Sequence, residues 1–313
     1  MLEALFAILV FPGFLFLSVA GLFAEYVDRI FYARLQNRLG PPWFQPFADF
    51  IKLISKEDII PEEAEPRIFK ALPVIAVASV ATSFLYIPLW KDTSLLSFQG
   101  DIIVVLYLLT IPTLTFFLGG WYSTSLFSIV GATRVLTQFF AYEVPLFMGI
   151  LSAALLANSW SLSDIIHFYH MHPLYMIFNI IGFVVSLIAL QGKLEKVPFD
   201  IPEAETEIVA GAFTEYSGRF LAFFRIAIDM ELVAGAALIS AIFLPFGYHL
   251  PYMAGFFVFI LKTLFIIFLL SVFRSLFARL RIDQMTRFCW KYLAPAAILQ
   301  IFINLLIGGF LLK

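Results

Sequence analysis

The chain has 313 residues, of which 62% are hydrophobic and only 13% are charged. That charged share is about half of the ~25% usual in soluble domains, so too few polar side chains remain to cover a water-soluble fold of this length. The formal net charge of −2 also lacks the basic excess typical of nucleic-acid-binding proteins. The composition therefore excludes a soluble protein and predicts a polytopic integral membrane protein.

Apolar stretches long enough to cross a bilayer recur along the chain. A span needs about 20 apolar residues, and α-helix is expected because lipid cannot hydrogen-bond exposed backbone groups. We predict eight transmembrane helices: Leu2–Ala24, Ile68–Trp90, Ile102–Trp121, Val135–Ala157, Leu174–Leu190, Phe220–Pro245, Pro251–Phe277 and Tyr292–Leu312. No repeat or Ser/Gly-rich linker divides the sequence, so residues 1–313 are expected to form a single all-α membrane domain.

Basic residues are concentrated on the connections that face one side of this arrangement. Sixteen of the 20 basic side chains fall there, whereas Lys91 and Lys313 fall on the other side. By the positive-inside rule, the charge-rich connections at about residues 25–67 and 191–219 are cytoplasmic and both termini are external. We therefore expect a multi-pass protein of the cell membrane whose partners dock on its cytoplasmic loops.

The first charged connection contains an amphipathic segment at residues 46–56. Its apolar side chains repeat at helical spacing: Phe47, Phe50, Ile51 and Ile54. Charged side chains fall on the other faces: Asp49, Lys52 and Lys56. This pattern predicts a helix in the headgroup plane, which is either a plain connector or the floor of a site that faces a cytoplasmic partner.

The second charged connection is acidic. It carries six carboxylates in 21 residues: Glu195, Asp200, Glu203, Glu205, Glu207 and Glu215. Pro202 suits the first turn of a helix, on which Glu203 and Glu207 would share a face. A solvated helix start is the ordinary interpretation of such a run. The apolar stretch at 208–213 predicts partial burial instead, and crowded, desolvated carboxylates can pass protons.

Ionisable residues also fall inside predicted spans, where hydrocarbon makes them costly and marks them as functional candidates. Glu143 lies in the fourth span, while Arg225, Asp229 and Glu231 lie in the sixth and Lys262 in the seventh. Pairs between Arg225 and Asp229, or between Lys262 and an acid of the sixth span, would give most of them a structural role. The alternative is a chain of groups for ion transfer, of which Glu143 is the most isolated member.

No redox or metal chemistry is predicted within the chain itself. A single cysteine, Cys289, cannot hold an iron–sulfur cluster or form an internal disulfide. His167 and His170 have ligand-like spacing, but only Asp164 is available nearby to complete a site. Dinucleotide, P-loop and nucleophile-elbow motifs are absent from the sequence. We therefore expect no catalytic residue, no metal site and no bound cofactor.

Three stretches carry a resemblance to a known family. The first contains Asp28-Arg29, Ala33-Arg34-Leu35-Gln36-Asn37-Arg38-Leu39-Gly40-Pro41 and residues 45–53. The second contains Pro198-Phe199-Asp200-Ile201-Pro202-Glu203-Ala204-Glu205 and Glu215-Tyr216-Ser217-Gly218. The third, which is weaker, contains Trp121, Gly131, Arg134, Gln138 and Tyr142-Glu143. In this order they resemble the complex I membrane subunit that is known as the H subunit in bacteria and as subunit 1 in mitochondria.

The resemblance implies a non-redox subunit between a cytoplasmic redox arm and antiporter-like membrane subunits. Iron–sulfur clusters, and in one branch a [NiFe] site, would lie in partners, namely a cluster-bearing small subunit and a catalytic large subunit; small membrane subunits would also adjoin the chain. The expected ion path combines the acidic connection that the resemblance implies with the charges in the spans. It comprises Glu143, Glu203, Glu205, Glu207, Glu215, Asp229, Glu231 and Lys262. The chamber and its interface with the arm would comprise Asp28, Arg29, Arg34, Arg38, Asp49, Lys52 and Asp200.

Departures from the family pattern bear on its branches. Between Gly40-Pro41 and Gln45 this chain has only Pro42-Trp43-Phe44. The quinone-using members that it resembles have several more residues at this place. The family's acidic and arginine positions before Pro198 are here Lys193 and Lys196. The shortened chamber wall favours the branch found in group 4 membrane-bound [NiFe] hydrogenases and related ferredoxin-dependent complexes, which reduce protons or sulfur compounds.

The leading prediction is thus a subunit that couples ferredoxin-driven electron transfer in a peripheral arm to proton or sodium translocation. The alternative within the family is the chamber subunit of a quinone- or phenazine-reducing dehydrogenase of a respiratory chain. A secondary transporter is disfavoured because internal repeats are not evident. An inert membrane anchor would leave the charges within the spans unexplained. The sequence decides neither the terminal electron acceptor nor the translocated ion.

Overall fold

The computed structural model describes residues 2–203 and 205–311, and this part of the chain is helical without strands. The helices are α1 Leu2–Leu9, α2 Phe14–Leu35, α3 Gln45–Ile54, α4 Pro66–Tyr86, α5 Asp101–Tyr122, α6 Leu126–Ala157, α7 Leu162–Met171, α8 Tyr175–Phe178, α9 Ile180–Lys193, α10 Glu205–Ile208, α11 Gly218–Phe243, α12 Tyr252–Leu276, α13 Ile282–Phe288 and α14 Ala294–Leu311. A 3-10 turn, Gly211–Phe213, precedes α11, and a π turn, Cys289–Leu293, joins α13 to α14. Within the described residues, seven segments are long and apolar enough to cross a membrane, which confirms the predicted all-α membrane fold.

Several spans extend beyond their predicted ends. The first membrane segment runs to Leu35 instead of Ala24, so Asp28, Arg29 and Arg34 lie on a helix rather than in a loop. The helix continues because Arg29 pairs with Glu25 one turn earlier, with 2.9 Å between Nε and Oε1. The fourth segment begins at Leu126 rather than Val135, and the last begins at Ile282 rather than Tyr292.

The fifth predicted span is shorter than its apolar sequence indicates. It consists of the one-turn α8 and the 14-residue α9, with Asn179 between them. At 1.5 Å per residue α9 is about 21 Å long, less than the ~30 Å hydrocarbon core of a bilayer. A buried polar network holds this break. The Asn304 Nδ2 donates to Asn179 Oδ1 at 2.6 Å, and the Gln300 Nε2 donates to the Phe178 carbonyl at 2.8 Å.

Helix α11 is the centre of the bundle. In its most apolar stretch 89% of residues are buried, against 28% for the first and last membrane segments. It packs against α2, α4, α9 and α12. Small side chains at residues 234–237 allow this close packing. Of the two acidic residues of α11, Glu231 is fully buried among these helices, whereas Asp229 is only partly buried.

The two charged connections meet at one end of the bundle. The Ile59 N–H donates to the Ser217 hydroxyl at 2.9 Å, and Arg219 forms an ion pair with Asp58. The predicted amphipathic helix forms as α3 and packs against α2 and α11. Its inward face differs from the predicted stripe, because Ile51 and Ile54 are exposed. That this end is cytoplasmic stays a prediction.

Helix α6 and the 3-10 turn lie in close contact at Gly131. A Cβ added at Gly131 would lie 2.3 Å from the Ala212 backbone nitrogen. We expect Gly131→Ala to force the acidic connection away from α6 and to destabilise the fold by about 1–3 kcal/mol, the usual range for overpacking. A lower thermal unfolding midpoint of the purified complex, and less assembled complex in membranes, would record this effect.

The matched control is Gly308→Ala in α14, where an added Cβ meets no neighbouring atom of the described residues within 4 Å. Alanine is favoured over glycine within a helix, so this control is expected to be neutral or slightly stabilising. Equal midpoints for the two variants would contradict the close approach.

Candidate functional site

A cavity of about 560 Å³ lies at the charged end of the bundle, between α2, α3, α11 and the connection at residues 194–203. We call it the charged chamber. Eleven of its nineteen described lining residues are charged: Glu25, Arg29, Asp49, Glu195, Lys196, Asp200, Glu203, Arg225, Asp229, Arg274 and Arg279. Small-molecule pockets are usually lined mainly by apolar side chains. The charged chamber therefore suits water and ions better than a large apolar ligand.

Asp28 lies behind the inner wall of the charged chamber and binds side chains of that wall; it is 1% exposed. Its Oδ2 accepts from Lys196 Nζ at 2.6 Å and from Arg274 Nη1 at 3.0 Å, and its Oδ1 accepts from the Ser271 hydroxyl at 2.6 Å. Burial alone would lower the pKa of Lys196, but the charges of Asp28 and Glu25 outweigh burial and raise that pKa above its ordinary value. Asp28 thus joins α2, α12 and the acidic connection through permanent charges.

Arg29 joins the same wall to the amphipathic helix. Its Nη1 donates to Asp49 Oδ2 at 3.1 Å, while Asp49 Oδ1 accepts from Gln45 Nε2 at 3.0 Å. Pro46, Phe50 and Leu53 of α3 line the charged chamber beside these groups. The predicted chamber residues Asp28, Arg29, Asp49 and Asp200 are therefore brought together.

The acidic connection differs from its predicted form. Helix α10 covers only Glu205–Ile208, so Glu203 lies in the preceding turn and does not share a helical face with Glu207. Glu203 pairs with Arg225 Nη1 at 2.6 Å inside the charged chamber. Glu207 is exposed and accepts from Arg134 Nη1 at 2.6 Å, a hydrogen bond that lowers the pKa of Glu207. The side chain of Glu205 lies outside the described part of the chain.

Glu195 lies where the connection enters the bundle, in a left-handed backbone conformation with φ of 51°. It is buried, and its Oε2 has no hydrogen-bond partner among the described residues. Burial raises the pKa of Glu195 to about 8, and the charges of Glu203 and Glu231 act in the same direction. The sequence shows Glu195 only as part of an acidic run and does not predict this environment.

Behind Glu195 lies an ion pair in the core of the bundle. Lys193 Nζ is 3.2 Å from Glu231 Oε1, and the two side chains are 1% and 0% exposed. The same ammonium donates to the Leu109 carbonyl at 2.5 Å and lies 5.7 Å from the centre of the Tyr142 ring. The sequence marks Lys193 only as a departure from a family position.

Glu143 lies next to this ion pair and, in the part of the chain that the structure describes, accepts no hydrogen bond. It is buried, and neither carboxylate oxygen has a hydrogen-bond partner among the described residues. Glu143 and Lys193 line a common void of about 10 Å³, which is close to the space that one water molecule needs. Glu143 also interacts electrostatically with both Lys193 and Glu231. Ionisable groups thus follow one another from the chamber to Glu143.

The two pairings that the sequence left open as a structural role for the charges in the spans do not form. Arg225 binds Glu203 rather than Asp229, because the acidic connection folds back over the start of α11. Lys262 contacts neither Asp229 nor Glu231, since its Nζ donates to the Leu244 carbonyl at 3.1 Å at the far end of α11. Its membership of the ion path stays a prediction that the geometry does not favour.

Other predicted site residues do not line the charged chamber. Arg34, Arg38 and Lys52 are exposed, and Glu215 is half-buried outside the lining. The exposed basic residues remain available to a partner. Among the described residues, no three His, Cys, Asp or Glu side chains are grouped as metal ligands would be.

Known proteins resemble this chain over nearly its whole length. A family model described as NADH dehydrogenase matches residues 6–305. The chain is 34% identical over 304 residues to the H subunit of NADH-quinone oxidoreductase from Carboxydothermus hydrogenoformans, covering 93% of this chain and 85% of the relative. It is 36% identical over 320 residues to the protein of that name from a Geobacillus species, covering 98% and 92%.

One solved structure extends the comparison to a different kind of complex. It is the structure of the membrane-bound sulfane sulfur reductase, an archaeal respiratory membrane complex, one chain of which has a TM-score of 0.85 and 27% identity. The match covers 97% of this chain and all of the other. The resemblance carried by the loop motifs is therefore confirmed.

Substitution of Glu195 tests the electrostatics of the charged chamber. The folded chain holds this proton up to a pKa of about 8. A glutamate in the unfolded chain has a pKa of ~4.3. Between these two pKa values the folded state binds more protons than the unfolded state, so the protein loses stability as the pH rises from one to the other. In the Glu195→Gln complex, the fall in thermal unfolding midpoint from about pH 5 to about pH 8 should shrink. The infrared band of a protonated carboxyl group at neutral pH should also weaken.

Glu207→Gln is the control, because Glu207 is exposed and its lowered pKa keeps it ionised. It should leave both measurements unchanged. A wild-type infrared spectrum identical to that of Glu195→Gln throughout the titration would show that Glu195 is already ionised.

Proposed function

This chain belongs to the NADH dehydrogenase family that includes the H subunits of NADH-quinone oxidoreductases, and on that premise we propose that it couples electron transfer in a peripheral arm to ion translocation across the membrane. It is a membrane subunit of a multi-subunit, complex I-like respiratory complex. In the proposal, electrons stay in cluster-bearing and catalytic partner subunits. The chain itself contributes charge movement.

The observation that carries the proposal is the series of ionisable groups, all buried beyond Glu203, from the charged chamber to Glu143. Glu203 lines the chamber, Glu195 interacts electrostatically with both Glu203 and Glu231, and Glu231 is paired with Lys193. Lys193 shares a void with Glu143. Ionisable groups in a membrane-embedded bundle are costly, and a connected series of them is typical of a proton relay.

Glu195 is the natural point of entry for a proton in this scheme. Since its pKa is about 8, a small change in the charge of the chamber shifts it between its two protonation states. One pKa unit corresponds to ~1.4 kcal/mol, so a reduction event near the chamber needs to supply only a few kcal/mol. Proton uptake at Glu195 would weaken the repulsion on Glu231 and alter the balance between Lys193, Glu231 and Glu143.

We further propose that the electron donor is ferredoxin and that the arm reduces protons or sulfur compounds. The charged lining of the chamber and the short stretch between Gly40-Pro41 and Gln45 support this branch, as does the similarity to a chain of the sulfane sulfur reductase complex. The partners would be a cluster-bearing small subunit and a catalytic large subunit at the charged end, with small and antiporter-like membrane subunits beside the spans. The translocated ion would be a proton or sodium.

Glu143→Gln tests the path directly. Glutamine keeps the shape of the side chain but cannot take up a proton, so ion translocation by the reconstituted complex should be nearly abolished. Electron transfer from reduced ferredoxin to the acceptor should persist at a reduced, uncoupled rate. The readouts are ion uptake into proteoliposomes and acceptor reduction, measured in the same preparation.

Asp164→Asn is the matched control. Asp164 is exposed on α7, where it accepts from the Ser159 hydroxyl at 2.9 Å, away from the charged chamber. This variant should pump and turn over as the wild type does. Wild-type ion uptake per electron in Glu143→Gln would remove Glu143 from the path.

The second candidate is a quinone-reducing complex, which the names of the curated relatives favour. A quinone ring and its isoprenoid tail would have to enter a chamber lined mainly by charged side chains. We therefore expect inhibitors directed at quinone chambers not to slow acceptor reduction by the purified complex. Tight inhibition that is lost in Asp49→Asn would instead establish the quinone function.

A further inference from the structure

A second cavity, of about 580 Å³, lies at the opposite end of α11 from the charged chamber. Its walls are α12, the connection at residues 244–250 and His170 of α7. We call it the lysine groove, because Lys262 is one of its lining residues. None of the groups of the proposed relay from Glu203 to Glu143 is among its described lining residues.

Lys262 is under-satisfied in this groove. It is 4% exposed, and among the described residues its Nζ makes one hydrogen bond, to the Leu244 carbonyl at 3.1 Å. An ammonium has three N–H donors. The Tyr248 and Phe246 rings lie 4.1 Å and 5.5 Å from Nζ and stabilise the charge through their faces. None of the described lining residues is acidic, so a bound anion would complete the environment of Lys262.

Two further polar side chains line the same groove. The rings of His170 and His249 come from different segments, yet their centres are only 3.8 Å apart. Both histidines are exposed and can donate N–H groups to an anion. Together with Lys262 they make one part of the groove a donor surface without a competing carboxylate.

The rest of the groove is apolar and open to the outside of the bundle. Phe246, Leu261 and Phe265 line it and are each about half exposed. Leu261 and Phe265 continue a stripe along the outer face of α12 that also contains Phe257 and Phe268. Cationic donors beside a long apolar surface suit an amphiphile with an anionic head and a hydrocarbon tail.

We propose that the lysine groove binds an anionic phospholipid of the surrounding membrane. The phosphate lies against Lys262 and the His170–His249 pair, and an acyl chain lies along Phe246, Leu261 and Phe265. This lipid holds the connection at residues 244–250 against α12. The site is independent of the proposed proton path, so failure of one leaves the other standing.

The test uses the purified complex in nanodiscs that contain a phosphatidylcholine or phosphatidylglycerol probe with a photoreactive acyl chain. Labelled residues are identified by peptide mass spectrometry. In the wild type, phosphatidylglycerol should label residues 246 and 261–265 about fivefold more strongly than phosphatidylcholine, the scale expected for one basic residue. Lys262→Met should abolish this preference, because methionine removes the charge but has a side chain of similar length.

Lys91→Met is the matched control, because Lys91 is an exposed lysine that lies 5.6 Å from the Tyr252 ring centre, at the start of α12. It should keep the full preference. Should Lys262→Met fail to assemble, the double variant His170→Ala/His249→Ala changes only exposed side chains and should weaken the preference. Equal labelling by both lipids in the wild type would overturn the proposal. So would absence of labelling because a helix of a neighbouring subunit fills the groove.

Discussion

A charged side chain inside a membrane-embedded bundle must find an opposite charge or water, and this requirement organises the whole chain. Asp28 meets it with Lys196, Arg274 and Ser271, and thereby fixes α2, α12 and the acidic connection to one another. Lys193 and Glu231 meet it at the centre of the bundle, where both are almost fully buried. Lys196 and Arg274, the partners of Asp28, line the charged chamber, so its walls are held by ion pairs rather than by apolar contacts alone.

Composition and periodicity were sufficient for the parts of the fold that depend on local sequence. Apolar length identified the long spans, and helical spacing identified α3. The pairing of charges depends on how connections fold, and local spacing misled there: Asp229 lies one turn from Arg225, yet Arg225 binds Glu203. The short α9 was hidden for a similar reason, because Gln300 and Asn304, which hold the break at Asn179, lie more than 100 residues away.

The same distinction applies to the candidate site. Glu143 and the two charged loops could be identified from the sequence, because an isolated carboxylate in an apolar span and a crowded acidic run are visible in one dimension. Lys193, Lys196 and Glu195 could not be assigned, since their meaning depends on Glu231, Asp28 and burial, respectively. The sequence did mark Lys193 and Lys196, because the family has an acidic residue and an arginine at these positions. Only the folded chain shows that both lysines bind carboxylates across the bundle.

Glu143 and Lys262 are then the informative exceptions, because each is buried with incomplete pairing. A structural role alone would favour an apolar residue at either position, since replacing buried charges by apolar groups is often neutral or stabilising. Their surroundings differ in kind. Glu143 faces a void of about 10 Å³ beside a lysine–glutamate pair, which has room for about one water molecule. Lys262 faces a cavity of about 580 Å³ with apolar walls open to the bilayer side, which leaves room for a lipid. The size and lining of the space beside each unsatisfied charge therefore distinguish the ion transfer proposed at Glu143 from the lipid binding proposed at Lys262.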